Sequence, residues 1–393
     1  MAIEAGRSPT SSRQERIRLG MVGGGQGAFI GAVHRIAARL DDRYTLVAGA
    51  LSSDPERARR SAEALGLDPE RAYASFAEMA KAEAARPDGI EAVSIVTPNH
   101  MHAPAAKAFL EAGIHVICDK PLAVSVAEAQ ALIALQRQTG RIVALTHNYT
   151  GYPMVREARA RVQAGELGTI RLVQMEYAQD WLTERAELSG SKQAEWRTDP
   201  KRSGGGGCIG DIGTHAFNLG AFVSGLEPES LLAELTTFVE GRALDDDVRV
   251  LLRYRGGAKG LLWASQVAVG NENAVSLKVY GTRGGLEWRQ EEPNQLWVTP
   301  FGSPKQLVTR NGAGAGEASR RVSRIPPGHP EGYLEGFANI YSEVAEVILA
   351  ARENRAPDPA VTFPTLADGL NGMRFIETAI RSSNNANTWT QFE

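Results

Sequence analysis

The sequence predicts an α/β protein in two parts. The first is an N-terminal doubly wound parallel sheet, and the second an α+β domain on a large, mostly antiparallel sheet with one open face. Three observations carry this. From Ile17 to about residue 145, short β-branched runs alternate with alanine-rich stretches of helical period. After residue 150, strand-like runs punctuated by glycine take over, several alternating apolar and polar residues. The chain's 393 residues also exceed what one ordinary core holds. Continuous apolar strands between amphipathic helices imply a parallel sheet covered on both faces. Alternating strands imply one packed face and one exposed or used for contacts.

The opening MAIEAGRSPTSSRQER is polar and lacks the apolar centre of a signal peptide, so residues 1–16 read as a loose tail. Residues 17–147 form the first domain. There IRLGMVG leads into AVHRIAARL, YTLVAGAL into ERARRSAEAL, EAVSIVT into APAAKAFLEA and IHVIC into VAEAQALIALQRQTG, before IVALTHN closes the sheet. Residues 148–393 form the second, with strands such as TIRLVQMEYAQDW, DDDVRVLLRYRGG and NAVSLKVYGTRGG. Helices are expected at 153–164, 214–224, 333–352 and 364–382, the last packing back across both parts. The stretch from about 302 to 328 is rich in glycine and arginine with little periodicity, and reads as a long, mobile surface segment.

Composition excludes several classes. A net charge of −3 gives no basic footprint for nucleic acid or an acidic membrane. Cys118 and Cys208 are the only cysteines, too few for a disulfide framework or a multi-cysteine metal site. No run approaches the ~18 apolar residues that would span a membrane. A soluble, cytoplasmic protein without a metal centre is expected.

MVGGGQGAFIGAVH follows the first strand, with Gly23, Gly25 and Ala28 in the pattern G-x-G-x-x-A. At the first strand-to-helix turn of a βαβ unit, such glycines let the backbone approach a pyrophosphate. The helix then offers its free N–H groups to the phosphates. This is the Rossmann reading, with Gly23, Gly25, Gln26, Gly27, Ala28 and Phe29 as the phosphate loop. Where an acid would hydrogen-bond the ribose of NAD stand Ser52 and Ser53, with Arg57 one turn on; Asp54 reads as a helix cap. The cofactor is therefore NAD or NADP. Thr97, Pro98, Asn99 and His102, in VTPNHMH, should lie by the nicotinamide half, although His102 could equally be a helix residue with a structural hydrogen bond. Asp119 and Lys120 end the next strand at the same edge and complete the cofactor set. A charged strand end is often only the way out to water. Asp211 and His215 are spaced i and i+4, which would let the carboxylate orient the imidazole. Gly204 to Gly207 before them would let backbone approach a ligand.

Taken in order, VGGGQGAFIGAVH, VTPNHMH, CDKPLAVSVAEA, GGGGCIGDIGTHAFNL and KVYGTRGGLEW resemble the Gfo/Idh/MocA family of nicotinamide-dependent oxidoreductases, from about residue 17 to RFIETAIRSS. The family's glutamate-lysine-proline motif stands here as Asp119-Lys120-Pro121, and its aspartate–histidine pair matches Asp211 and His215. The resemblance implies hydride transfer between the nicotinamide and a secondary alcohol carbon of a sugar or cyclitol. His215 would serve as acid/base, Lys120 would stabilise the reacting oxygen, and Asp211 would orient the pair. Substrate hydroxyls would meet Lys120, Asp211 and His215, joined by Asn148, Tyr149, Tyr152, Trp196, Arg197, Asn218, His329 and Tyr333. Arg197 could instead be a loop-fixing ion pair. A redox-neutral glycosidase using the same site, and a non-catalytic sensor, are the competing classes. Apolar residues on both sides of GLLWASQVAV imply that a second subunit covers the open sheet, in a homodimer or homotetramer.

Overall fold

The computed structural model describes residues 16–393; apart from Arg16, the tail assigned to residues 1–16 lies outside them. Five strands, β1 (Ile17–Gly23), β2 (Tyr44–Ala50), β3 (Ala92–Val96), β4 (His115–Cys118) and β5 (Val143–Leu145), make one parallel sheet in the order β2-β1-β3-β4-β5. Every residue of β3 is buried, as a strand covered on both faces requires. The helices between the strands are α1 (Phe29–Leu40), α2 (Pro55–Ala64), α3 (Phe76–Ala84), α4 (His102–Glu111) and α5 (Val126–Thr139). Side chains cap three of them: Asp54, Ser75 and Ser125 each accept the backbone N–H three residues on. No side chain caps α1, which follows the glycine loop.

The second sheet has nine strands in the order β13-β12-β11-β10-β6-β9-β8-β7-β14. They are β6 (Ile170–Ala178), β7 (Pro228–Thr236), β8 (Asp247–Tyr254), β9 (Lys259–Ser265), β10 (Ala274–Gly281), β11 (Gly284–Arg289), β12 (Gln295–Pro300), β13 (Gln306–Thr309) and β14 (Thr390–Gln391). All neighbours run antiparallel except β6 and β9. Around the sheet lie α6 (Pro153–Gln163), the short α7 (Lys192–Arg197) and α8 (Pro200–Ser203), α9 (Thr214–Ser224), α10 (Glu317–Arg320), α11 (Tyr333–Arg352) and α12 (Leu366–Asn384). One face packs Val173, Val250, Leu252 and Leu262 into the core, whereas Leu172, Leu251 and Leu261 on the other stand open to solvent.

The segment 302–328 is not a mobile surface loop. It contributes β13 and α10 and is held by Arg310, which is 2% exposed. The Arg310 guanidinium donates to Asn294 Oδ1 (2.8 Å), to the carbonyls of Ile325 (2.7 Å) and Pro326 (3.0 Å), and to that of His329, and it pairs with Glu331 at 3.0 Å. One buried cation serving several carbonyls orders a stretch without any periodic pattern, which is why hydropathy does not reveal it.

The last helices do cross back. α11 packs on α1, and Tyr341 joins a buried network with His34 Nδ1 and Ser94 Oγ, each at 2.8 Å. Burial lowers His34 to about 4, so its ring stays neutral there. The turn at Asn148–Gly151 meets α11 at Gly336, and Asn339 Nδ2 donates to Gly151 O at 2.7 Å. A Cβ on Gly151 would sit 2.0 Å from the Gly336 carbonyl. Gly151→Ala is therefore expected to cost about 1–3 kcal/mol of unfolding free energy through overpacking. Chemical denaturation measures it, and an unchanged midpoint would show that α11 shifts freely.

Candidate active site at the carboxyl edge of the parallel sheet

A cleft of about 1250 Å³ opens where the strands of the parallel sheet end and the second sheet begins. Ligands collect at this edge because the crevices between diverging strand-to-helix turns lie there. The glycine loop, residues 23–29, forms one end. Gly27 has a φ of +81° with open space where a Cβ would be, and the uncapped N–H groups of α1 follow it. A phosphate fits there: the donors a side chain would otherwise satisfy are left for it. Ser52, Ser53 and Arg57 line the same cleft, while Asp54 caps α2 at 2.7 Å. Arg57 makes no ion pair among the described residues.

Further along the cleft come Thr97, Pro98 and Asn99, then Asp119 and Lys120. The Asn99 amide donates to Ser203 O at 3.0 Å, tying α8 of the second part to the end of β3. Asp119 Oδ1 accepts from the Lys120 N–H (2.8 Å) and from Thr146 Oγ1 (3.1 Å), which fixes the turn that projects the lysine. Lys120 Nζ lies 3.1 Å from Asp211 Oδ1 and also donates to the Asp211 carbonyl. Asp211 Oδ2 accepts from Arg197 Nε at 3.0 Å and Gln266 Nε2 at 2.9 Å. Burial alone would raise the Asp211 carboxyl, but Arg197 and Lys120 outweigh it and hold the group at about 2.

His215 follows on α9. Burial lowers its pKa well below the usual value, and Lys120 and His147 push it further, so the imidazole is neutral. Its ring meets His147, Tyr149 and Tyr177 at centroid distances of 5.4, 5.1 and 6.1 Å. The expectation that Asp211 orients His215 is corrected. Among the described residues no hydrogen bond joins them, and the carboxylate serves Lys120, Arg197 and Gln266 instead. Residues Ile209–Gly213 are wound as a π-helix, so the i, i+4 spacing does not give the shared face of an α-helix. Asp245 caps this segment, accepting from Gly207 N (2.6 Å) and Ile209 N (2.8 Å). Gly207 is small for that approach, not for a ligand: a Cβ there would meet Asp245 O at 2.2 Å.

Asn148, Tyr149, Trp196, Arg197 and Tyr333 also line the cleft. Arg197 resolves to the ion pair with Asp211, its guanidinium stacked on Trp196 at 4.2 Å. Four expected residues do not reach the space. His102 is buried with both ring nitrogens against backbone carbonyls. Tyr152 is 1% exposed, packed between Tyr149 and Trp288. Asn218 lies on the inner side of α9 and is buried. His329 is solvent-exposed, outside the cleft, and is engaged through its backbone: its carbonyl accepts from Arg310 and its N–H donates to Pro326 O.

Sequence reasoning missed a polar floor. Tyr177 Oη lies 2.8 Å from Tyr149 Oη and donates to Asn273 Oδ1 at 2.8 Å; Gln179 Nε2 donates to the same Oδ1 at 2.8 Å. Trp181 Nε1 donates to Gln179 Oε1 at 3.1 Å. Tyr149 was expected; Tyr177, Gln179 and Trp181 come from the end of β6, and Asn273 from the turn before β10. Following the alternation of EYAQDW past the strand's last residue would have found the β6 three, but not Asn273.

The sequence profile described as an oxidoreductase family with an NAD-binding Rossmann fold (GFO/IDH/MocA) matches residues 17–147, and that of the GFO/IDH/MocA C-terminal domain matches residues 155–287. The chain belongs to the GFO/IDH/MocA family. An oxidoreductase crystal structure from Sinorhizobium meliloti is 59% identical, with a TM-score of 0.88, covering 96% of this chain and 99% of that one. An inositol dehydrogenase homologue from Azotobacter vinelandii, complexed with NADH and myo-inositol, is 36% identical with a TM-score of 0.91, over 96% and 98% of the two chains. Levoglucosan dehydrogenase of Pseudarthrobacter phenanthrenivorans is 27% identical over 95% of this chain and 98% of its own. The GFO/IDH/MocA chain described here is thus an oxidoreductase whose N-terminal domain is the family's NAD-binding fold.

The cations around the cleft make a pH prediction. Burial, and then Lys120, lower His147 to about 3, against partial opposition from Asp119. The unfolded chain takes up this proton near 6.5, so the stabilisation is complete above 6.5 and is lost as pH falls toward 3. His147 alone should contribute a slope of about 1.4 kcal/mol per pH unit in that window. Urea denaturation between pH 7 and 4.5 should give a steeper decline for the native chain than for His147→Phe. Equal slopes would refute the assignment.

Proposed function

We propose that the chain is an NAD(P)-dependent dehydrogenase acting on a secondary alcohol of a sugar or cyclitol. The observation carrying this reading is that a neutral imidazole, a lysine ammonium and a floor of neutral hydrogen-bonding groups converge beside the cofactor end of one cleft. Polyols need many neutral donors and acceptors; Tyr149, Gln179 and Asn273 supply them, and Trp181 and Trp196 offer apolar faces for the ring. The relatives that bind myo-inositol or act on levoglucosan support the same substrate class.

The nicotinamide, when bound, supplies hydride acceptance and return. The chain's own residues manage the proton and the oxygen. His215, neutral and facing the cleft, takes the hydroxyl proton and gives it back in the reverse direction. Lys120 has three N–H donors, two of them engaged by the Asp211 carbonyl and carboxylate. The third is free for the oxygen as negative charge develops there. Asp211, ionised above about pH 2, fixes the direction of that donor, and Arg197 and Gln266 hold Asp211. Among the described residues Asp54 is the capping residue of α2 and Arg57 makes no ion pair, which favours room for a 2′-phosphate beside Ser52 and Ser53.

A screen of sugars and inositols against NAD+ and NADP+, following the reduced nicotinamide, tests the reading. Lys120→Met should lower kcat by roughly 10²–10³, the usual cost of a lost oxyanion donor. NADH binding, read by fluorescence, should change less than about threefold. Full turnover by the variant would exclude the assigned role. Release of an aglycone from glycosides without net cofactor reduction would favour the redox-neutral glycosidase.

A second copy of the chain is the proposed cover of the open sheet face. Leu251 and Leu261 oppose one another across β8 and β9 and are 45% and 42% exposed, with Leu172 on the neighbouring strand. Light scattering should give a multiple of the 42.3 kDa protomer, and Leu251→Lys with Leu261→Lys should reduce it. A monomeric native protein would rule this out.

A further inference from the structure

His102 is the first residue of α4, 1% exposed, and has no access to the cleft. Its Nδ1 stands 2.6 Å from the carbonyl of Pro121, and its Nε2 stands 2.8 Å from the carbonyl of Thr97. These two carbonyls belong to different turns. Thr97 directly follows β3 and lines the cleft, while Pro121 directly follows Lys120 in the turn after β4. The imidazole is the only side chain among the described residues whose polar atoms lie within hydrogen-bond distance of both turns. We propose that His102 is a positioning residue: by gripping the Pro121 carbonyl from the Thr97 turn, it fixes the Lys120 backbone relative to the cofactor site. This rests on the dehydrogenase reading of Lys120 given above.

The chemistry of the ring explains why a histidine stands there. Carbonyls only accept, and a neutral imidazole carries a single N–H. We assign that hydrogen in the neutral ring to Nδ1, whose contact to Pro121 is the shorter. The second carbonyl is fully satisfied only when the ring gains a proton. Burial, the largest influence, works against that proton, Asp119 and the two carbonyls favour it, and Lys120 opposes it; His34, on α1, also faces the ring. With the hydrogen on Nδ1 the link to Pro121 persists in either state, whereas the link to Thr97 depends on protonation.

Two amides separate these links. An asparagine nitrogen can stand where Nδ1 stands, and a glutamine nitrogen where Nε2 stands. His102→Asn keeps the donor to Pro121, and His102→Gln keeps the donor to Thr97. His102→Phe removes both. The phenylalanine variant is expected to lose roughly tenfold or more in kcat, since small misplacements of a reacting group are that costly. NADH affinity should stay within about threefold, because the phosphate loop is untouched. His102→Asn should recover most of kcat and His102→Gln little, although both leave one ring link broken. Hydrogen–deuterium exchange of the cofactor-free protein gives a reading independent of turnover. The peptide covering residues 115–124 should exchange faster in His102→Gln than in His102→Asn. Equal kcat and equal exchange in the two amide variants would overturn the proposal, as would native kcat in His102→Phe. If the native chain turned over no polyol and the exchange difference remained, the dehydrogenase reading would fail and the clip would stand. If phenylalanine prevented folding, the amide pair would still decide.

Discussion

The Asp211 carboxylate joins the two halves of the molecule. Lys120 reaches it from the parallel sheet, Arg197 from α7 and Gln266 from the end of β9, while its own backbone sits in the π-wound turn before α9. Its side chain is 13% exposed, so its charge is nearly dry and must be paid for by two cations. Removing one partner of such a buried pair typically costs about 3–5 kcal/mol, because the other charge is left without solvent. The geometry of Lys120 is therefore inseparable from the closure of the second part over the first. Asp245 extends the constraint by gripping Gly207 N and Ile209 N, and so sets where the turn bearing Asp211 begins.

This arrangement also sets the state of the histidines. Asp211 turns two cations toward itself, but Lys120 still lies close enough to lower His215 and His147 beyond the effect of their burial. A neutral base beside a lysine is the combination that alcohol oxidation needs, since a protonated imidazole could not accept the hydroxyl proton. Burial, with Lys120 adding to it, keeps both rings neutral and makes the fold sensitive to acid.

Much of the first part was legible because its determinants are local. The glycine loop, the Asp54 cap and the apolar run of β3 each announce themselves within a few residues. Lys120, Asp211 and His215 were identifiable as a set, but not their pairing. The i, i+4 rule assumes an α-helix, and the π-winding at Ile209–Gly213 breaks that assumption. Arg310 was illegible for a different reason. Its partners are mostly backbone carbonyls, which carry no sequence signal, so an ordered segment read as a loose one. His102 was ambiguous because histidine at a turn suits a ligand or a hydrogen-bonded wedge equally, and only tertiary neighbours separate them.

The two ends of the cleft are built from different materials, and this has a consequence for specificity. The cofactor end relies on backbone: an uncapped helix start and a glycine that tolerates no substitution of conformation. The end proposed for the substrate relies on side chains at strand termini, with Gln179 and Trp181 beyond β6 and Asn273 before β10. Strand termini can change side chains without disturbing the sheet that supports them, whereas the phosphate loop cannot change without refolding. Asn273 is the pivot of the substrate end, since its amide group contacts Tyr149, Tyr177 and Gln179 together. Its carbonyl accepts from Tyr177 and Gln179, and its N–H donates to Tyr149. Replacing that amide would disturb the floor and leave Lys120 and His215 in place, so on the proposed dehydrogenase reading substrate choice can shift while the proton and oxygen chemistry stays the same.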